Sequence, residues 1–238
     1  MAKNILKIIA IFIIGMVGGI FADQIFWPYF VERPLFYQYR LEKTPIYVTE
    51  RKEVFIQENT ALRGAIEKVK NSTIYLQSQT VSGKVLEGSG LILTSDGLVV
   101  TLAELVPRVS KFSFYIEGEK TPFQILKRDL KENLALIKLE KESLPTVDFA
   151  DLEKTKLGER VFLVAKLLKE KEIETTTNEG IIKRFDQDII ETNIFEDKKI
   201  KGAPLFNIDG KALGLITVDS QGRVSAIPIS KIKSFSGF

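Results

Sequence analysis

Apolar and polar positions alternate in three different ways along this chain. From Ile5 to Ala22 they barely alternate: 18 residues carry one charge, Lys7, close to the N-terminal end. A lysine at that place can extend its ammonium to the headgroups, so residues 5–22 are expected to cross the membrane once with the N-terminus inside. Asp23-Gln24 closes the run, and Phe26-Trp27-Pro28-Tyr29-Phe30 supplies aromatic residues suited to the far interface. Ile20-Phe21-Ala22 also fits the cleavage site of a signal peptide, which leaves a second account of the same stretch. Gly15 and Gly19 form a GxxxG pair on it, a spacing used by some helix dimers.

The second regime has helical spacing. Leu62, Ala65, Ile66 and Val69 recur on one face, which predicts a short helix capped by Asn59 or Thr60. Between it and the apolar run, residues 28–58 read as an extended stalk broken by Pro34 and Pro45, rich in aromatics such as Phe36, Tyr37 and Tyr39.

Beyond Ser72 the period falls to two. The runs 73–77, 91–94, 98–101, 112–116, 123–126 and 134–139 are short and separated by turn chemistry such as Ser95-Asp96-Gly97. A second set follows at 161–165, 174–177, 180–184, 189–192, 204–206, 212–218 and 224–228. Many short strands at this spacing predict an all-β fold of two six-stranded barrels in series. The division is expected near Leu144-Pro145, giving residues 1–27 as the anchor, 28–58 as the stalk, 59–143 as helix plus first barrel and 144–238 as second barrel.

Composition changes this picture at one point. The 238 residues contain no cysteine and no histidine. Disulfides, thiolate and imidazole metal sites, thiol nucleophiles and imidazole bases are therefore excluded everywhere in the sequence. A net charge of +3 without a basic stripe gives no footprint for nucleic acid, and nothing points to a metal or a cofactor.

One resemblance is specific. The stretch Glu87-Gly88-Ser89-Gly90 to Thr101, with its Asp96-Gly97 turn, resembles the signature hairpin of HtrA-type trypsin-like serine peptidases. Further similarities follow in that family's order at Asp129 to Lys138, Leu157 to Val161, Thr175 to Lys183 and Gly202 to Pro228, so that residues 61–235 are covered. The segment Lys199-Ile200-Lys201-Gly202-Ala203-Pro204-Leu205, followed by the Asn207-Ile208-Asp209-Gly210 turn, resembles the nucleophile loop and the hairpin after it. The resemblance implies a double barrel whose histidine, aspartate and serine positions fall on Glu104, Asn133 and Lys201, and whose oxyanion loop falls on Lys199, Ile200 and Lys201. All three catalytic positions are replaced, which implies a pseudopeptidase; with the chain ending at Phe238, the PDZ module common in the family is not expected. The resemblance also implies a peptide-accepting edge at Arg223, Val224, Ser225, Ala226 and Ile227, and an oligomer of identical chains.

Two alternatives for Lys201 and Glu104 remain open at this stage. Meeting across the cleft, they would form an ion pair with Asn133 bonded to the carboxylate; otherwise both would point to water. A Ser-Lys dyad using Ser89 or Ser225, and a carboxylate pair of Glu104 with Asp129 or Glu132, are the hydrolytic alternatives.

Overall fold

A computed structural model describes residues 2–31, 58–108 and 110–237. Most of the expected stalk, residues 32–57, lies outside the described residues. The chain divides into two compact units, Met1–Val54 and Phe55–Phe238.

In the first unit, α1 (Ala2–Phe21) runs on through a π-helical stretch, Ala22–Val31. The 25 residues Lys3–Trp27 are long and apolar enough to cross a membrane. At a rise of about 1.5 Å per residue, such a helix exceeds the ~30 Å of a hydrocarbon core.

The second unit opens with α2 (Glu58–Val69). The helix begins one residue ahead of Asn59, so Asn59 and Thr60 fall within its first turn instead of capping it. Its apolar face, Ala65 and Val69, joins the core, and Leu62 and Ile66 pack against it.

The first lobe is a seven-stranded antiparallel sheet and not the expected closed six-stranded barrel. Its strands are β1 (Thr73–Thr80), β2 (Val85–Ile92), β3 (Leu98–Leu102), β4 (Ser110–Ile116), β5 (Glu119–Thr121), β6 (Phe123–Asp129) and β7 (Leu134–Leu139). The order is β5-β4-β1-β2-β3-β7-β6. The two outermost strands are separated in sequence by Pro122 alone. The strand expected at 123–126 lies within β6, and β5 is an additional strand; proline has no N–H for a ladder, and it separates the two, so that β5 pairs with β4 and β6 with β7. The ends of the sheet are thus joined covalently through Pro122, whose carbonyl accepts from Glu140 N at 2.9 Å.

The second lobe is the expected closed six-stranded barrel, formed by β8 (Arg160–Lys169), β9 (Glu172–Phe185), β10 (Ile190–Phe195), β11 (Pro204–Asn207), β12 (Ala212–Val218) and β13 (Arg223–Pro228). β9 is one strand of 14 residues where the sequence pattern predicts two. Asn178, at the expected break, stays in register opposite Leu163. Gly180 then lets the Asn193 side chain approach and accept from Ile181 N at 2.7 Å. A closing helix, α3 (Ile229–Ser236), was not legible from the pattern; it buries Ile229, Ile232 and Phe235.

The lobes share a core. One apolar cluster joins Ile74, Val100 and Leu136 of the first sheet to Phe162, Val164, Phe206 and Leu215 of the barrel and to α3. Phe162 and Phe206 stack within it at 5.4 Å. A second cluster fills the barrel interior around Leu163, Leu205 and Ile216.

Candidate functional site

Glu104, Asn133 and Lys201 come together between the lobes. Glu104 sits on the tight turn Ala103–Leu105 after β3. Asn133, in the left-handed region at φ 54°, closes the turn between β6 and β7. Its backbone carbonyl accepts from Ala103 N at 3.0 Å, its side-chain oxygen from Glu104 N at 3.0 Å, and its amide donates to Glu104 Oε1 at 3.2 Å. From the other lobe, Lys201 Nζ donates to Glu104 Oε2 at 2.7 Å. Of the two arrangements open from the sequence, the ion pair is the one present. With the Lys201 side chain 17% exposed and that of Glu104 40% exposed, the pair contributes on the order of 1 kcal/mol or less.

The loop before Lys201 uses its own hydrogen-bond donors. Asp197 caps the turn Lys198–Ile200 by accepting from Lys199 N at 2.8 Å. Ile200 N donates to Asp197 O, Lys201 N to Lys198 O and Gly202 N to Ile216 O. Four successive N–H groups, from Lys199 to Gly202, are thus each engaged by an acceptor of the protein itself.

The same loop lies against β2. Ser89 N donates to Lys201 O at 2.8 Å. A Cβ at Gly88 would stand 2.6 Å from that carbonyl, and one at Gly202, where φ is 77°, would press on Ser89 O. Gly88 and Ser89 therefore form a contact surface for the loop.

Of the two serines considered as partners of Lys201, Ser89 is engaged elsewhere. Ser89 Oγ is buried and bridges the lobes, accepting from Lys166 N at 3.0 Å and donating to Lys166 O at 3.3 Å. Ser225 sits within β13, opposite Glu191 and Thr217. The carboxylate pairs are not assembled either: Asp129 accepts from Lys131 N and Glu132 N, and Glu132 accepts from Lys231 Nζ at 3.2 Å.

The peptide-accepting edge expected at Arg223 to Ile227 is corrected by the sheet topology. β13 has β12 on one side and β10 on the other, and the hydroxyl of Thr192 donates to Val224 O at 2.8 Å. A strand inside a closed barrel has no free edge to offer.

Among the described residues a free edge does exist nearby, on β2. Ser89 N points away from β1 towards Lys201, so two and four residues earlier Glu87 and Val85 face the same way. β3 pairs with β2 only at Leu91 and Ile92, and among the described residues no backbone group pairs with that side of Val85 and Glu87. They border a cavity of about 380 Å³, also lined by Lys84, Glu104, Lys198, Lys199 and Lys201. Sequence reasoning missed this edge because β2 appeared to begin at Leu91; Val85 to Gly90 lacks a run of apolar residues.

Two antiparallel β lobes with a cleft between them, a loop entering it before a hairpin, and a closing helix define the trypsin-like architecture. The chain belongs to the trypsin-like peptidase domain family, whose pattern it matches over residues 88–215. Within it the chain is related to the HtrA and DegP type. It is 26% identical over 151 residues to the probable periplasmic serine endoprotease DegP-like of Chlamydia pneumoniae, covering 59% of this chain and 30% of that protein. It is 30% identical over 133 residues to serine protease HTRA1 of Xenopus laevis, covering 50% and 28% respectively. These matches take in less than a third of each relative's length.

Proposed function

We propose that this protein is a proteolytically inactive member of its family, held at the cytoplasmic membrane by residues 5–22, that binds extended segments of other proteins in the inter-lobe cleft. The observation that supports it is the Lys201–Glu104–Asn133 bridge at the positions carried over from the family's serine, histidine and aspartate. An ammonium held by a carboxylate is neither a nucleophile nor a base. With Lys199 N held by the Asp197 carboxylate and Lys201 N by Lys198 O, electrostatic stabilisation of a tetrahedral intermediate is weakened as well. What survives is a cleft beside a free strand edge, which suits pairing with an extended chain.

The interior position of β13 favours a second function, that of an assembly subunit whose cleft binds nothing. One experiment separates these from hydrolysis: the full chain in lipid nanodiscs is given unfolded casein, beside a Lys201→Ala variant, and both cleavage and binding are followed. Binding without cleavage is the expected result. Neither binding nor cleavage favours the assembly role, and cleavage abolished by Lys201→Ala overturns inactivity. In the same reading the N-terminus is inside and the β unit extracytoplasmic. A protease added to intact cells then digests a C-terminal tag; a tag protected until lysis reverses the orientation.

A further inference from the structure

The side chains around the free edge of β2 are unequally matched. Four lysines and two glutamates line the cavity: Lys84, Lys198, Lys199 and Lys201 against Glu87 and Glu104. Lys201 is neutralised by Glu104 at 2.7 Å. Glu87 accepts from the Tyr75 hydroxyl at 2.8 Å and lies 3.7 Å from Lys199 Nζ, so both carboxylates already have cationic partners. Lys84 and Lys198 are exposed and have no carboxylate partner among the described residues. They flank the edge from opposite sides in sequence, Lys84 directly before Val85 and Lys198 at the start of the turn that leads to Lys201.

From this arrangement we infer that the cleft selects extended segments carrying acidic side chains, their backbone laddered to Val85 and Glu87 and their carboxylates met by Lys84 and Lys198. The inference rests on the proposal that the cleft binds rather than cuts. The edge supplies N–H and C=O groups from two alternate residues, which fixes an extended strand without regard to sequence. Selection is then electrostatic. An acidic residue gains the two uncompensated ammonium groups, a basic one adds to an existing excess of positive charge, and a neutral one gains only the ladder. Because both lysines are solvated, the preference weakens as salt rises.

The test uses the full chain in nanodiscs of uncharged lipid and dye-labelled peptides of equal length that alternate valine with glutamate, glutamine or lysine, read by fluorescence anisotropy. The glutamate peptide is expected to bind about tenfold more tightly than the glutamine peptide, the combined effect of two exposed charge pairs. The double variant Lys84→Gln/Lys198→Gln erases that difference. Neither side chain holds a described hydrogen bond, and circular dichroism of the variant verifies its fold. N-methylation of alternate residues of the glutamate peptide abolishes its binding. Equal binding of all three peptides overturns the charge selection while the cleft remains a binding site. Tightest binding of the lysine peptide overturns it outright, and undiminished binding of the N-methylated peptide overturns the ladder at Val85 and Glu87. If no peptide binds, the proposed binding function itself fails, and the selection with it.

Discussion

Lys201 Nζ and Glu104 Oε2, contributed by different lobes, meet at 2.7 Å, and Asn133 holds the other carboxylate oxygen at 3.2 Å. Replacing these three side chains by the histidine, aspartate and serine that the resemblance assigns to their positions would remove the bridge but leave the loop as it is, with Lys199 N on the Asp197 carboxylate and Lys201 N on Lys198 O. The triple variant Glu104→His/Asn133→Asp/Lys201→Ser is therefore expected to stay at background in a casein assay, because loss of oxyanion donors alone costs about 10²–10³ in rate per donor. Measurable turnover by that variant would show that the loop opens readily.

The contact between the loop and β2 leaves no room for an added side chain at Gly88. A Cβ at Gly88 would fall 2.6 Å from Lys201 O, a backbone atom that cannot swing aside. Gly88→Ala should destabilise the β unit by about 3 kcal/mol or more, whereas Lys201→Ala should cost about 1 kcal/mol or less. Urea unfolding of the two variants measures both; equal costs would mean that the loop is not seated on β2 in solution.

The alternation of apolar residues carried most of the fold, and particular residues show where it stopped. Runs such as Leu134 to Leu139 are buried on nearly every position and read directly as core strands. The glycine-rich start of β2 did not, because its burial comes from contact with another loop and not from its own side chains. Pro122 was visible, but its effect on the first sheet depends on which strands flank it in space. The ion pair followed from placing Glu104 and Lys201 on facing loops by resemblance. The interior position of β13 could not follow, since its second neighbour, β10, is distant in sequence.

Alkaline pH should weaken the fold through two groups whose values are raised in the folded state. Burial first, and then the hydrogen bond to Glu87, hold the Tyr75 phenol above its ordinary value of 10.0. Hydrogen bonds to Asp188 and then Glu132 raise the Lys231 ammonium above 10.5. A raised value means that the folded form binds the proton more tightly, so each contribution is complete below the ordinary value and is lost as pH rises towards the folded-state value. Stability should fall above about pH 10. The variant Tyr75→Phe/Lys231→Met should show a shallower alkaline limb in denaturant titrations at stepped pH; an unchanged slope would remove both groups from the account.

Ser89 provides the last comparison, because it joins the same two lobes without any charge. Its buried hydroxyl accepts from Lys166 N at 3.0 Å and donates back to Lys166 O at 3.3 Å, while its own N–H is held by Lys201 O. Truncation to alanine leaves Lys166 N without that acceptor, and an unpaired N–H shielded from water costs more than an exposed ion pair returns. Ser89→Ala is expected to lower stability by roughly 1–3 kcal/mol and to raise hydrogen exchange at the Lys166 amide. Lys201→Ala should leave that amide protected. If exchange at Lys166 rises in Lys201→Ala and not in Ser89→Ala, the lobes are tied by the ion pair after all, and the charged bridge of Lys201 and Glu104 carries a structural role larger than its exposure implies.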